Sequence, residues 1–192
     1  KDTALKSLNA IEVEYEELPA IFDPLEAARE DAALLHPDVN SYVGLPEQLE
    51  KPSNVFVHNT WSKGDLQEGF AQAELIVEHT YVTQQAHQVY LEPHTCLVWI
   101  DAEGRIQVWA PTKAPYQVKD QLSGALGIPK ERILLHPVSI GGDFGGKGSP
   151  MDMPLAYFLA KRTGRPVRMI MDYAEELTAG NPRHASVIQL KT

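Results

Sequence analysis

Gly141-Gly142-Asp143-Phe144-Gly145-Gly146-Lys147-Gly148 decides how this sequence is read. Five of its eight residues are glycine. The stretch follows an apolar run, Ile133 to Val138, that predicts a strand. It precedes Met153 to Ala160, whose spacing predicts a helix stopped near Thr163-Gly164. Glycine adopts positive φ freely and lets a second group approach the backbone closely. The N–H groups of such a turn can cradle an anion. A tight strand-to-helix turn uses glycine too, so both readings stand open on the loop alone. A nucleotide loop is a third reading. Gly141, Gly146 and Lys147 satisfy G-x-x-x-x-G-K, but Gly148 replaces the Ser or Thr whose hydroxyl should reach magnesium. Pro150 also places the helix start after the lysine. The dinucleotide pattern G-x-G-x-x-G fails: Asp143 replaces its second glycine counted from Gly141, and Met151 its third counted from Gly146.

Working outward, the second half alternates strands with helices. Cys96 to Ile100 and Arg105 to Ala110 flank Asp101-Ala102-Glu103-Gly104, a hairpin signal. Tyr116 to Leu126 carries Val118, Leu122, Ala125 and Leu126 at helical spacing, with Gly127 as its C-cap. Val167 to Met171 predicts a further strand, and Leu75 to Thr83 another. The fold class is therefore mixed α/β. In the first half, Ala10 to Glu16 alternates apolar and acidic residues, which predicts a strand with one wet face. Asp23 caps a short helix that starts at Pro24. Residues 35–53 are rich in Pro, Asn, Asp and Gly and are expected to be a linker. Asn54 to Trp61 is expected to be extended, and Gly64 to Ala73 helical.

Composition narrows the function. Hydrophobic residues make up 43% of the 192 residues and charged residues 22%, as in ordinary globular chains. The net charge of −9 argues against nucleic acid, which needs clustered Lys and Arg. No run of about eighteen apolar residues predicts a membrane span. Cys96 is the only cysteine, so no internal disulfide and no cysteine-held iron–sulfur cluster lies within these residues. A cytoplasmic location is the expectation. The first residue is not Met, which suggests an excised segment or a processed product. His87 and His94 do not form H-E-x-x-H, and Pro93 interrupts any regular metal-binding helix. Glu175 and Glu176 are expected to form a solvated acidic helix start.

Gly-Gly-x-Phe-Gly-Gly-Lys after a strand resembles the molybdopterin-contact loop of the xanthine dehydrogenase and aldehyde oxidase family. Further matches follow in order. Ile11 to Ala20 with Asp23-Pro24 resembles the end of that family's small domain. Leu91-Glu92-Pro93-His94 resembles its Met-Glu-Pro segment. Trp109-Ala110-Pro111-Thr112, Leu126-Gly127-Ile128-Pro129 and Arg132-Ile133 resemble the approach to the loop. Gly164-Arg165-Pro166-Val167, Asp172, Glu175-Glu176 and Arg183-His184 resemble the stretch after it.

The resemblance implies a fragment of a molybdenum hydroxylase large subunit, inactive alone. It implies a small domain ending in residues 1–34, a linker at 35–53, and the start of the molybdopterin-binding domain at 54–192. The implied cofactor is molybdopterin with molybdenum, in its plain or dinucleotide form. The implied substrate is an aldehyde or an N-heterocycle, oxidised with water-derived oxygen. Iron–sulfur clusters and FAD would lie on partner domains or subunits, alongside the remainder of the large subunit. Gly142, Phe144 and Gly145 would contact the cofactor. Lys113 falls where family members often place Gln, and it either faces the metal or points to solvent. Gly148 replaces a glutamate that helps recognise purines. The family's general base has no counterpart here, so no residue is assigned as catalytic, and none as a protein ligand to metal. A non-catalytic scaffold or binding module that kept the fold is the alternative.

Overall fold

The computed structural model describes residues 2–42 and 50–192. The chain divides into two compact units, residues 1–76 with Thr192, and residues 77–191.

The first unit is built from short helices: α1 (Asp2–Leu8), α2 (Pro24–Ala27) and α3 (Leu66–Gln72). Asp23 and Asp65, which precede α2 and α3, work as caps. Asp23 accepts from the N–H groups of Leu25 and Glu26, and Asp65 does the same for Gln67 and Glu68. Asn54 ties the segment after α2 together. Its amide donates to the carbonyls of Ala27 and Ala33, and its oxygen accepts from the N–H of Leu35. The predicted strand at Ala10 to Glu16 does not form, and these residues are all exposed. A strand needs a neighbour to satisfy its backbone, and no described residue pairs with this one. Asn54 to Trp61 likewise joins no sheet. Of the predicted linker, residues 43–49 lie outside the described residues.

The second unit holds two sheets. In the smaller, β1 (Glu78–Thr83) pairs antiparallel with β6 (Ser186–Lys191). An isolated bridge between Ala86 and Arg183 extends this ribbon. The larger sheet contains β2 (Thr95–Ile100), β3 (Ile106–Ala110), β4 (Ile133–Pro137) and β5 (Val167–Ile170), in the order β4-β3-β2-β5. The predicted hairpin is β2 and β3, closed by Asp101, whose carboxylate accepts the N–H groups of Glu103 and Arg105. The parallel pair β3 and β4 needs a crossover, and α4 (Pro115–Leu126) supplies it. Helix α5 (Met153–Thr163) connects β4 to β5. Gly127 and Gly164 end α4 and α5 in the left-handed conformation, as the sequence predicts. Helix α6 (Tyr173–Ala179) opens on a capping box formed by Asp172 and Glu175.

Val118 and Leu122 of α4 and Ala156, Tyr157 and Ala160 of α5 bury against Val98, Val108 and Ile133 of the sheet. This packing fixes the ends of β3 and β4, between which α4 departs and the glycine loop begins. Leu122→Ala is expected to cost about 2–5 kcal/mol through lost burial and an unfilled cavity. Exposed Val82→Ala should change stability by less than about 0.5 kcal/mol. Urea unfolding of both variants checks this; equal effects would place the core elsewhere.

Candidate functional site

The loop after β4 curls because three of its residues hold positive φ: Gly142 at 102°, Phe144 at 46° and Gly145 at 100°. For Phe144 this region is strained, so the surroundings must enforce it. Asp143 is one cause. Its carboxylate accepts the N–H of Gly145 at 2.9 Å and of Lys147 at 2.6 Å, while its carbonyl accepts from Gly146 at 2.8 Å. The inside of the turn is thus filled by the loop's own carboxylate. Lys113, just after β3, reaches the same carboxylate at 3.0 Å, with its side chain 51% exposed. It is tied to the loop by this pair while half of its side chain remains exposed. Burial alone would raise the Asp143 carboxyl, but the Gly145 N–H and the Lys113 ammonium outweigh it and hold it below the usual carboxylate range.

The glycines answer a steric demand from below. A Cβ on Gly142 would lie 2.7 Å from Tyr90 Cβ, one on Gly146 2.5 Å from Tyr90 Cε1, and one on Gly141 2.6 Å from Glu92 Cβ. These three positions are glycine because the Tyr90-to-Glu92 segment is their floor. Gly145 differs: nothing lies within 4 Å of its would-be Cβ. Lys147 turns inward, with no side-chain exposure. It pairs with Glu92 at 2.7 Å and lies 4.7 Å over the Tyr90 ring. The nucleotide reading required this lysine to face a phosphate, and the ion pair removes it from that role. Glu92 also accepts the N–H of Gly141. Burial would raise its carboxyl; the Lys147 ammonium and Gly141 N–H more than offset that and lower it.

Beneath Tyr90 stands Glu176 of α6, fully buried. The solvated acidic pair expected at Glu175-Glu176 is therefore half wrong. Glu175 caps the helix at the surface, whereas Glu176 points into the molecule. It accepts the Tyr90 hydroxyl, the backbone N–H of His94 at 2.5 Å and a bond with His94 Nδ1 at 2.8 Å. His87 Nε2 lies 3.6 Å away. These donors overcome the desolvation of Glu176 and lower its carboxyl, while burial and Glu176 push the Tyr90 phenol up. His87 and His94 thus meet a carboxylate, yet among the described residues no group of three His, Cys, Asp or Glu can hold a metal ion. Sequence reasoning missed this cluster because Tyr90 and Glu176 are 86 positions apart and carry no local pattern. Arg183, in the stretch that resembles the family's sequence after the loop, exchanges backbone hydrogen bonds with Ala86.

The loop also carries unused donors. Among the described residues, the N–H groups of Gly142, Phe144 and Gly148 donate to no group of the chain. Phe144 is 72% exposed beside them. Unused amides beside an exposed ring and a lysine suit a ligand rich in oxygen with a flat face.

Residues 47–192 match the family described as the molybdopterin cofactor-binding domain. The chain belongs to this family. It is 29% identical over 191 residues to the nicotinate dehydrogenase large molybdopterin subunit of Eubacterium barkeri, across the whole chain and 42% of that protein. It is 28% identical to the xanthine dehydrogenase/oxidase of Mus musculus, over 98% of the chain and 13% of that protein. The aldehyde oxidoreductase of Desulfovibrio gigas shares the fold with a TM-score of 0.79 at 23% identity, over 99% of the chain and 20% of that structure. The chain thus spans less than half the length of these relatives. No helix among the described residues is long and apolar enough to cross a membrane.

Glu92, Asp143 and Glu176 all sit below their ordinary values. A carboxyl lowered by folding stabilises the fold above its unfolded value and loses that contribution as pH falls through the folded one. The contribution of these three carboxyls should therefore be fully present above their ordinary values and should decline once pH drops below 4.5, the ordinary glutamate value. Lys147→Met should cost about 1–3 kcal/mol at neutral pH and flatten the acid slope, since Glu92 then loses its cation. Urea midpoints measured against pH check both; an unchanged slope in the variant would contradict the pairing.

Proposed function

We propose that this chain is the part of a molybdenum hydroxylase large subunit that contacts molybdopterin through Gly142, Phe144 and Gly145, with Lys113 beside them. The unused amides next to exposed Phe144 are the observation that carries this reading. The residues fit such a group. Gly142 and Phe144 each offer an N–H, Gly145 leaves its face open, and the Phe144 ring can flank an aromatic surface. The Gly145 N–H itself is engaged by Asp143, so its part is to permit close approach. Lys113 offers N–H donors and a positive charge, held in place by Asp143. The bound cofactor, in plain or dinucleotide form, supplies the oxidising metal centre.

In the intact subunit the substrate is an aldehyde or an N-heterocycle, oxidised with water-derived oxygen. Gly148 has no side chain to recognise a purine, so purine binding through that position is not part of the reading. Iron–sulfur and FAD domains or subunits would take the electrons, and the remainder of the large subunit would complete the site. Residues 1–34 would close a preceding small domain, 35–53 would link, and residues 54–192 would begin the molybdopterin-binding domain. Buried, unpaired Cys96 is compatible with a reducing compartment such as the cytoplasm.

The Asp143–Lys113 pair favours a second reading, a scaffold without chemistry, because the loop's inner donors are already satisfied. One experiment separates them. The subunit carrying this chain is purified as wild type and as Phe144→Ala with Lys113→Ala, and molybdenum content and dye-linked oxidation of an aldehyde are measured. We expect the wild type to hold molybdenum and turn over, and the double variant to lose more than about tenfold in kcat/KM, the size expected for about 1.4 kcal/mol of lost interaction. The 192 residues alone should not turn over. A molybdenum-free wild type would favour the scaffold; robust turnover by these residues alone would overturn the fragment reading.

A further inference from the structure

We infer that Tyr90 and Glu176 are positioning residues that set the shape of the glycine loop from beneath, without touching a ligand. The inference rests on the reading of the loop as a cofactor contact, but its test needs no cofactor.

Contact geometry carries it. Gly142 and Gly146 bracket Phe144 and Gly145, and both rest on Tyr90, one on its Cβ and the other on its ring. The height of that ring therefore decides where the amides between them point. Tyr90 has almost no exposure, and Val89 before it holds a φ of 51°, a costly conformation for a β-branched residue that turns the chain into the molecule. The Lys147 ammonium covers the ring face from the loop side. At its far end the hydroxyl is fixed on Glu176.

Glu176 is suited to anchor rather than to react. The hydrogen bonds to its carboxylate all come from one segment, the Tyr90 hydroxyl and two groups of His94, with His87 Nε2 also 3.6 Å away, and it has no opening to solvent. Gly180 keeps α6 close, because a Cβ there would lie 2.8 Å from His87 Nε2 and 2.9 Å from Glu176 Oε1. A line of contacts thus runs from α6 through the phenol ring to the loop. The remaining ionisable groups on it are His87 and His94 beside Glu176, Asp152 in its field, and Asp143 in that of Tyr90.

Tyr90→Phe keeps the ring but releases its end, and Glu176→Gln keeps the shape but turns an N–H₂ toward a donor. Amide hydrogen exchange of the subunit carrying this chain reads the result, comparing the hydrogen-bonded loop amides of Gly141, Gly145, Gly146 and Lys147 with the strand peptide 95–110. We expect exchange of the loop to quicken about tenfold in Tyr90→Phe and at least as much in Glu176→Gln, with strand exchange unchanged. A second arm is steric. Gly146→Ala should loosen the loop in the wild type but add little in a Tyr90→Leu background, where the ring atoms that the methyl meets are gone. An unchanged loop in Tyr90→Phe, equal acceleration in loop and strands, or an equal Gly146→Ala penalty in both backgrounds would overturn the inference. Tyr90→Phe retains the core volume, so it keeps the test open if Glu176→Gln does not fold. Loop exchange that rises as expected while the intact Tyr90→Phe subunit keeps its full molybdenum content would support the positioning role and count against the cofactor reading.

Discussion

An ionised carboxylate taken out of water is stable only when donors replace its hydration, and Glu176 meets that condition through Tyr90 and His94. The requirement propagates. Because Glu176 must keep the Tyr90 hydroxyl, the ring is fixed in depth and tilt. Because the ring is fixed, Gly142 and Gly146 have no room for a side chain. Because Lys147 covers the ring and pairs with Glu92, the loop's lysine is internal. The outward edge of the loop, with its unused amides and exposed Phe144, is what remains after these demands are met.

The larger sheet and its helices were legible in the sequence because their signals are local. The hairpin between β2 and β3, the α4 helix ended by Gly127 and the α5 helix ended by Gly164 each rest on a few neighbouring residues. The strand expected at Ala10 to Glu16 failed for the opposite reason. Its alternation is real, but pairing is a property of two segments, and no described residue provides the second. The unanticipated β6 shows the same point from the other side, since it forms against β1, about a hundred residues earlier.

At the site, the loop itself was readable from its glycines, but the reason for them was not. Glycine could serve a tight turn or the close approach of a ligand, and Gly145 alone of the four glycines between 141 and 146 has open space where a Cβ would stand. For Gly141, Gly142 and Gly146 the close neighbour is Tyr90 or Glu92, which sequence spacing cannot reveal. Glu175 and Glu176 show how adjacent identical residues part company: one lies at the surface and caps α6, the other is its buried anchor. Lys113 was left between two orientations, and it pairs with Asp143 while its side chain stays half exposed.

The loop joins an outer side that carries unused amides and exposed Phe144 to an inner side packed on Tyr90 and Glu92. The claim about the outer side is tested most directly by a structure of the intact subunit isolated with its cofactor. The account predicts a cofactor oxygen about 3 Å from the N–H of Gly142 or Phe144, with the Phe144 ring against the bound group and Lys113 still beside Asp143. A loop facing bulk water, with the cofactor bound elsewhere, would contradict it.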